Sequence, residues 1–206
     1  MATRVILVRH GETDWNKERR IQGGSSNPPL NERGREQAEG LALRLRQDKI
    51  QAIYSSPLQR SLDTAKAIAH YHRLEVDVEP SLREIEAGEL EGVTLAELGK
   101  HFSELLTLNA KGGTLPRVPG GESLPELQQR GWDTVQRLAK KHPEGNVVLV
   151  SHYFVILAII CSVLGLPLSQ IGKLRLGTGS ISIINLDRQE ARLELFNDTC
   201  NPAECP

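Results

Sequence analysis

The chain of 206 residues lacks an excess of charge of either sign and has few aromatic residues. Its 25 Lys and Arg residues balance 26 Asp and Glu residues, and Phe, Trp and Tyr together make up 4% of it. Because proteins that bind nucleic acid or anionic membranes usually carry a basic excess, neither is predicted as a partner. The few aromatics argue against a pocket for large stacked bases, although Trp15, Tyr153 and Phe154 keep that alternative open.

Long apolar runs are also missing. The most apolar segment, Tyr153 to Leu166, carries no charge but is shorter than the roughly 20 residues that a membrane-spanning helix needs. We therefore expect a buried helix there. The first residues, Met1 to Arg4, lead directly into an apolar run and leave no room for a signal peptide, which predicts a cytoplasmic location.

Cysteine is scarce, and the three cysteines do not form a metal-ligand pattern. Cys161 lies inside the apolar segment and is expected in the core. Cys200 and Cys205 flank a short tail and could pair under oxidation, but without a secretion signal we expect them to be reduced. The sequence therefore predicts no metal site and no cofactor.

Strand and helix patterns alternate along the chain. Apolar runs typical of strands are followed by amphipathic stretches, and helix starts are indicated by capping residues at Asn31, Ser56, Thr94 and Ser123. The helix after Asn31 is expected to run to about Asp48. Strands separated by helices predict an α/β fold, a three-layer sandwich with a mostly parallel sheet and helices on both faces. Ser180–Leu186 and Arg192–Phe196 are interpreted as a final, antiparallel pair of strands.

Polar side chains follow three of the predicted strands at the point where each ends. The first strand leads into Arg9 and His10, the second into Ser55 and Ser56 with Arg60 one turn into the next helix, and the third into Ser151 and His152. Ligands of open α/β sheets bind beyond the carboxyl ends of the strands. Arginines, histidines and helix N-termini at one crevice predict an anion site. The fork of donors of arginine and the nucleophilic nitrogen of a neutral histidine suggest that the anion is phosphate.

This pattern resembles the histidine phosphatase superfamily, also called the phosphoglycerate mutase-like family. The resemblance covers nearly the whole chain and rests on seven ordered motifs. They are Arg9-His10-Gly11-Glu12-Thr13 with Trp15-Asn16, Arg20-Ile21-Gln22-Gly23, Asn27-Pro28-Pro29-Leu30 with Gly34, Ser55-Ser56-Pro57-Leu58-Gln59-Arg60 with Thr64-Ala65, Leu82-Arg83-Glu84 with Gly88 and Glu91-Gly92, Pro119-Gly120-Gly121-Glu122-Ser123, and Ser151-His152.

The resemblance implies a role for each matching position. His10 is implied as the nucleophile that becomes phosphohistidine, and Glu84 as the proton donor to the leaving oxygen. Arg9, Arg60 and His152 are implied as the phosphate clamp. The implied substrate-binding residues are Asn16 as a further donor and Gln22, Gly23, Thr13 and Arg20 at the pocket rim. Tyr153, which follows His152 and does not match the family pattern, is predicted as a further substrate-binding residue.

The chemistry of phosphoryl transfer sets conditions on these residues. The charge of a loose transition state spreads over three oxygens, and guanidinium and imidazolium groups can take the place of metal ions. His10 must be neutral at the attacking nitrogen, whereas His152 is expected to be protonated. Glu84 must hold a proton near neutral pH, which burial and a bound phosphate would favour.

Two departures from the family pattern bear on the substrate. Tyr153 stands where the family usually has glycine, so its side chain could wall off part of the leaving-group pocket or pack into the following helix. The mutases of the family carry Glu-Arg-His-Tyr-Gly around the acid, and their cationic residues help to hold a second phosphate. Here Glu84 is followed by Ile85 and Glu86, which favours a phosphatase over a mutase.

The sequence thus predicts a metal-independent phosphatase of small cytoplasmic phosphate esters, built as a single domain of residues 1–206 with a lid-like excursion at about 88–122. Candidate substrates are phosphoserine, sugar phosphates, phosphoglycerate derivatives and the ribazole phosphate of cobalamin synthesis. A cofactor-dependent phosphoglycerate mutase and a non-catalytic protein that binds a phosphate ligand are the alternatives. The oligomeric state, a homodimer included, stays open.

Overall fold

A mixed β-sheet forms the centre of the protein in the computed structural model, which describes residues 2–101, 117–187 and 190–199. Within those residues the sheet has six strands. They are β1 (Thr3–Arg9), β2 (Ile50–Ser55), β3 (Val76–Val78), β4 (Asn146–Ser151), β5 (Ser180–Leu186) and β6 (Ala191–Thr199). The strand order is β3-β2-β4-β1-β5-β6, with β3, β2, β4 and β1 parallel and with β5 and β6 antiparallel to their neighbours.

Helices pack on both faces of this sheet. They are α1 (Asp14–Lys17), α2 (Glu32–Leu45), α3 (Gln59–His72), α4 (Leu95–His101), α5 (Leu124–Lys141) and α6 (Tyr153–Leu164), and short 3₁₀ turns cover Pro80–Leu82, Gly88–Leu90 and Leu168–Lys173. In the described part of the chain, no helix combines the length and the apolar content that crossing a membrane requires.

Two separate apolar clusters, one on each face, explain why the central strands are apolar at every position. Leu7 of β1 packs with α5 and α6 in one cluster, and the next residue, Val8, packs with α2 and α3 in the other. A strand covered on both faces needs apolar residues at successive positions instead of alternating ones. The predicted three-layer α/β sandwich with a mostly parallel sheet is confirmed.

The capping residues fix most helix starts as the sequence predicts. The Asn31 side chain accepts a hydrogen bond from the Gly34 N–H at the start of α2. Ser123 and Glu126 form a reciprocal capping box at the start of α5, and Thr94 and Glu97 form another before α4. The α2 helix ends at Leu45, before the predicted end at Asp48, because the chain turns there.

The predicted cap at Ser56 is wrong. The α3 helix begins at Gln59, and its N-cap residue is Leu58, which makes no side-chain capping bond. Since Leu58 keeps an extended backbone with ψ of 138°, the first helical turn starts after the proline and not at it. Instead, the Gln59 N–H donates to Asn27 Oδ1 at 2.7 Å, and the Ser56 hydroxyl is left for another partner.

The carboxyl-terminal half of the fold follows the predicted order. The α6 helix is buried from Val155 to Cys161 and ends at Leu164. Its C-cap is Gly165, whose φ of +63° is the left-handed conformation typical of a glycine at a helix end. The β5 and β6 strands pair antiparallel as predicted, and β6 extends to Thr199, beyond the expected Phe196. Residues 102–116 of the predicted excursion and the tail with Cys200 and Cys205 lie outside the described residues.

Candidate active site

The carboxyl ends of three neighbouring strands bring the polar side chains to one edge of the sheet. Arg9, at the end of β1, lies opposite Ser151 of β4 in the parallel register. Backbone bonds continue the ladder beyond the strands: the His10 N–H donates to Ser151 O at 3.1 Å, and the Ser56 N–H donates to Val150 O at 3.0 Å. The sheet itself therefore places His10, Ser56 and His152 side by side.

The ring of His10 has one nitrogen occupied and the other free. Nδ1 lies 2.7 Å from the backbone oxygen of Gly11. Because a carbonyl oxygen only accepts, the ring proton belongs on Nδ1, and Nε2 keeps its lone pair. Burial lowers the pKa of His10 well below its usual value, and Arg60 and Arg9 lower it further. At neutral pH the ring is a neutral base with an available nitrogen.

Two guanidinium groups flank this ring, and the described residues do not satisfy all the N–H donors of either one. Arg9 donates to Leu176 O at 2.5 Å, and the fully buried Arg60 donates to Ser26 O at 3.0 Å and to Gly23 O at 3.1 Å. The Nε atom of each is buried without a partner. Burial lowers the pKa of each arginine to about 10, so both stay cationic at neutral pH. Buried donors without a partner in the described residues are typical of a ligand-binding site.

His152 lies close to His10, with 5.0 Å between the ring centroids. Its Nε2 lies 2.8 Å from Ser56 Oγ and 3.3 Å from Ser61 Oγ, whereas its Nδ1 is buried without a partner. Burial lowers the pKa of His152 well below its usual value, and Arg60, His10 and Arg9 add to this. These effects favour a neutral His152 ring, in contrast to the protonated state that the sequence predicts.

Glu84 is a buried carboxyl group at the same edge, 4% exposed. One oxygen accepts from the Ile85 N–H at 2.9 Å, and the other accepts from the Phe154 N–H, at the start of α6, at 3.2 Å. Burial raises the pKa of Glu84, against these two bonds and against the positive charges of Arg60 and Arg9. The side chain therefore holds its proton to higher pH than an exposed glutamate.

The backbone of Glu84 is held by an ion pair that the sequence reasoning missed. Arg130 of α5 bonds both oxygens of Glu122, at 2.6 and 2.8 Å, and also donates to Ser81 O at 2.7 Å and to Glu84 O at 3.3 Å. The sequence places Glu122 in the motif that precedes α5 and assigns no role to Arg130. Because two of the acceptors are backbone oxygens of another segment, no pattern of residue types signals this contact.

The segment after Gly11 supplies a small polar network. Thr13 caps α1. The N–H and the hydroxyl group of Thr13 both donate to the side-chain oxygen of Asn16, each at 3.1 Å. The side-chain amide of Gln22 contacts the same Thr13 hydroxyl at 3.1 Å. Because these bonds occupy the Asn16 oxygen, they leave its amide N–H groups as donors.

Gly23 and Arg20 belong to different environments. Gly23 is buried, its N–H donates to a carboxylate oxygen of Glu91 at 2.8 Å, and a Cβ placed on it would lie 2.7 Å from the Cβ of Ala87. The position therefore admits only glycine. Arg20 is exposed and donates to Glu18 at 2.6 Å and to Gly92 O at 3.1 Å. The structure places it at the surface and not with the buried cluster.

Tyr153 packs against the cluster from the first turn of α6. Its ring centroid lies 5.0 Å from the guanidinium carbon of Arg9, and its hydroxyl donates to Leu174 O at 3.3 Å. These contacts are with Arg9 and Leu174 and not with α6 itself, so they do not decide between the two alternatives that the sequence allowed. The described residues hold no group of three or more His, Cys, Asp or Glu side chains that could bind a metal ion.

Comparisons of the sequence and the fold relate this chain to known proteins. The family described as the histidine phosphatase superfamily (branch 1) matches residues 5–199. Phosphoserine phosphatase 1 of Hydrogenobacter thermophilus is 34% identical over 98% of this chain and 95% of its own length. A probable phosphoglycerate mutase of Cronobacter sakazakii is 37% identical over 88% of this chain and 84% of its own. A mutant phosphoserine phosphatase of Entamoeba histolytica, solved with phosphoserine, superposes with a TM-score of 0.87 at 30% identity over 96% of this chain and 98% of its own.

Proposed function

Because the chain belongs to the histidine phosphatase superfamily and is a phosphoric monoester hydrolase, we propose that it hydrolyses a small phosphate ester through a phosphohistidine on His10, without a metal ion. One observation carries this proposal. The Nδ1 bond to Gly11 O leaves Nε2 of a neutral His10 available, beside two arginines whose buried Nε–H groups have no partner among the described residues.

The phosphate is bound, in this proposal, by Arg9, Arg60 and His152. The Asn16 amide and the N-terminus of α6 add further donors, since the first N–H groups of a helix attract anions. The two permanent positive charges match a phosphate dianion, the dominant form of a phosphomonoester near neutral pH. Thr13, Gln22, Gly23 and Tyr153 support this pocket through the contacts described above. Arg20 is kept only as a rim residue that reaches the substrate by leaving Glu18.

The reaction then proceeds in two balanced steps. Nε2 of His10 attacks phosphorus while the bond to the ester oxygen breaks, and Glu84 donates its proton to the departing alcohol. In the second step Glu84, now a carboxylate, takes a proton from a water molecule that attacks the phosphohistidine. Inorganic phosphate leaves, His10 is restored, and Glu84 is again protonated.

The residues after Glu84 support release of phosphate to water over transfer to a second hydroxyl group. Glu86 carries a negative charge into this segment, where it accepts from the Ser25 hydroxyl at 2.7 Å. A carboxylate at that place disfavours the binding of a second phosphate. We also propose that residues 1–206 form one domain, with the segment at about 88–122 as an excursion over the site, and that phosphoserine, sugar phosphates and phosphoglycerate derivatives are the esters to test.

The decisive experiment is the trapping of a phosphohistidine. A ³²P-labelled phosphate donor is mixed with the enzyme in the presence of a chelator and quenched with alkali. We expect label that is stable to alkali, labile to acid and absent from His10→Ala. The control, His70→Ala, removes an exposed histidine of α3 and should label like wild type. Equal labelling of His10→Ala would overturn the proposal.

A panel of metabolite phosphates, with the chelator still present, then identifies the reaction. Hydrolysis predicts that the phosphate of each accepted ester appears as inorganic phosphate. A mutase would return the phosphate to glycerate instead, and a binding protein would release none. Loss of activity with the chelator would contradict the metal-independent mechanism.

A further inference from the structure

Two serine hydroxyl groups converge on one nitrogen of His152. Ser56 Oγ lies 2.8 Å from Nε2 and Ser61 Oγ lies 3.3 Å from it. All three side chains are fully buried. Within the part of the chain that the structure describes, the ring therefore has hydrogen-bond partners only at Nε2, while Nδ1 is buried without one.

A count of protons indicates which nitrogen carries the ring hydrogen. A hydroxyl group donates one hydrogen bond and can accept two. Ser56 Oγ accepts from the Leu58 N–H at 3.4 Å, and within the described residues the only acceptor for its own proton is Nε2 of His152. If Nε2 were protonated, the Ser56 hydroxyl would be buried with its proton unpaired, which is costly.

We propose that Ser56 is a positioning residue that sets the tautomer of His152. By donating to Nε2, Ser56 leaves the single proton of the neutral ring on Nδ1, and the ring presents this N–H to the phosphate. The idea rests on the proposed phosphate pocket, since it assigns the unpaired Nδ1 to the bound oxyanion. It replaces the expectation of a cationic His152 with a neutral donor of fixed direction.

The charged surroundings of the ring are consistent with a neutral donor. The groups that face it are Arg9 and His10 at the end of β1, Arg60 of α3 and Arg130 of α5, and all of them disfavour a second proton on the ring. With Arg9 and Arg60 each contributing one positive charge, a phosphate dianion is balanced without a third cation. The ring then contributes a hydrogen bond and no charge.

The same reasoning explains how two adjacent histidines acquire opposite tasks. His10 has a carbonyl oxygen beside Nδ1, at 2.7 Å, so its proton is fixed there and Nε2 offers a lone pair. His152 has hydroxyl protons beside Nε2, so its lone pair is used and Nδ1 offers an N–H. One ring is thereby prepared to attack phosphorus and the other to donate to its oxygens.

Nitrogen-15 NMR of the imidazole rings tests the tautomer directly on the resting enzyme. A protonated and an unprotonated ring nitrogen have clearly different shifts, and His152→Asn assigns the signals. We expect His152 to carry its proton on Nδ1 between about pH 6 and 8, where a free histidine titrates. A proton on Nε2, or on both nitrogens, would overturn the proposal. Because no substrate is present, this outcome is independent of whether phosphohistidine forms.

Removal of the hydroxyl group tests the functional consequence. In Ser56→Ala we expect a mixture of His152 tautomers, a raised ring pKa and a kcat/KM lower by about tenfold, the effect of one lost buried hydrogen bond. Ser56→Thr keeps the hydroxyl and should restore both signals. Ser55→Ala is the matched control, since the Ser55 hydroxyl is equally buried but donates to the Ser56 carbonyl. An unchanged tautomer and pH profile in folded Ser56→Ala would refute the role.

Discussion

At the residue scale, Glu84 combines two properties that oppose each other. Both of its oxygens accept backbone N–H groups, which stabilises the carboxylate. Burial nevertheless raises its pKa, so the desolvation of the charge outweighs the two bonds and the neighbouring arginines. The resulting acid is held in one orientation and keeps its proton to higher pH than an exposed glutamate, which is the direction that the proposed role requires.

Glu84→Gln should therefore slow the release of poor leaving groups much more than that of good ones. An alkyl phosphate needs a proton on the departing oxygen, and we expect its kcat/KM to fall by about 100-fold or more. A nitrophenyl phosphate releases a stable anion and should lose far less. The ratio of the two rates is the measurement, with Glu86→Gln, a more exposed neighbour that contacts Ser25, as the control. Equal losses for both esters would remove Glu84 from the acid role.

Individual residues also show where sequence reasoning ends. The convergence of His10, Arg60 and His152 could be predicted, because strand ends meet at one edge whatever the side chains are. The protonation of His152 could not, since it depends on Ser56 and Ser61, whose positions are set by an α3 helix that starts later than its capping pattern suggests.

At the scale of elements, α5 holds the segment of Glu84 through Arg130. This guanidinium spans the Glu122 carboxylate and the backbone oxygens of Ser81 and Glu84. A planar group with five N–H donors can bond four oxygens at once, whereas a lysine ammonium has three donors. The clamp ties the helix to the segment that presents the proposed acid.

Arg130→Met is expected to destabilise the fold by about 1–3 kcal/mol, because it removes charged hydrogen bonds and leaves Glu122, 15% exposed, without its partner. The kcat for alkyl phosphates should fall as well, since Glu84 loses its anchor. Arg137→Met is the matched control on the same helix. Its ion pair with Glu79 has an arginine that is 56% exposed, and such pairs contribute under about 1 kcal/mol. The measurements are urea unfolding and kcat for alkyl phosphates, each for Arg130→Met and Arg137→Met. Equal losses of stability and of kcat in the two variants would contradict the role of Arg130.

Elements were predicted well wherever one stretch of sequence determines them. The capping boxes at Thr94 and Ser123 and the glycine end of α6 are local patterns, and each is found where expected. The Arg130 clamp was missed because its acceptors are backbone oxygens of another segment, which leave no trace in the residue types. The prediction of a cap at Ser56 was wrong, because the Ser56 hydroxyl bonds His152, a residue distant in the sequence, and does not cap α3.

At the scale of the whole molecule, two apolar clusters, one on each face of the sheet, lie beneath the site. The sheet delivers its polar residues only at the carboxyl ends of β1, β2 and β4, and below them Leu7, Val8 and Leu149 are fully buried. This arrangement follows from the apolar strands, so the fold class could be predicted from periodicity. As a consequence, ionisable groups are buried together. Burial lowers the pKa values of His10 and His152 and raises that of Glu84, so it favours the uncharged form of each.

This consequence predicts how stability depends on pH. The folded pKa values of His10 and His152 lie well below 6.5, their usual value. Below pH about 6.5 the unfolded chain therefore binds protons that the folded chain does not, and the stability they contribute is present above that pH and lost on acidification. Below that pH, each such histidine lowers the free energy of unfolding by up to about 1.4 kcal/mol for each pH unit of acidification. His10→Asn should therefore reduce the slope of the unfolding free energy against pH by up to that amount.

Glu84 supplies a test of the opposite sign. Its pKa in the folded chain is raised above 4.5, the value expected for the unfolded chain. At a pH between these two pKa values, the folded chain holds a proton that the unfolded chain has released. That contribution is present below pH about 4.5 and is lost as the pH rises through the folded pKa. Glu84→Gln should therefore steepen the loss on acidification within that window, where His10→Asn makes it shallower. Urea unfolding of wild type, His10→Asn and Glu84→Gln from about pH 4.5 to 7.5 measures how the free energy of unfolding depends on pH. Parallel curves for the three proteins would show that burial does not shift the pKa values of these groups.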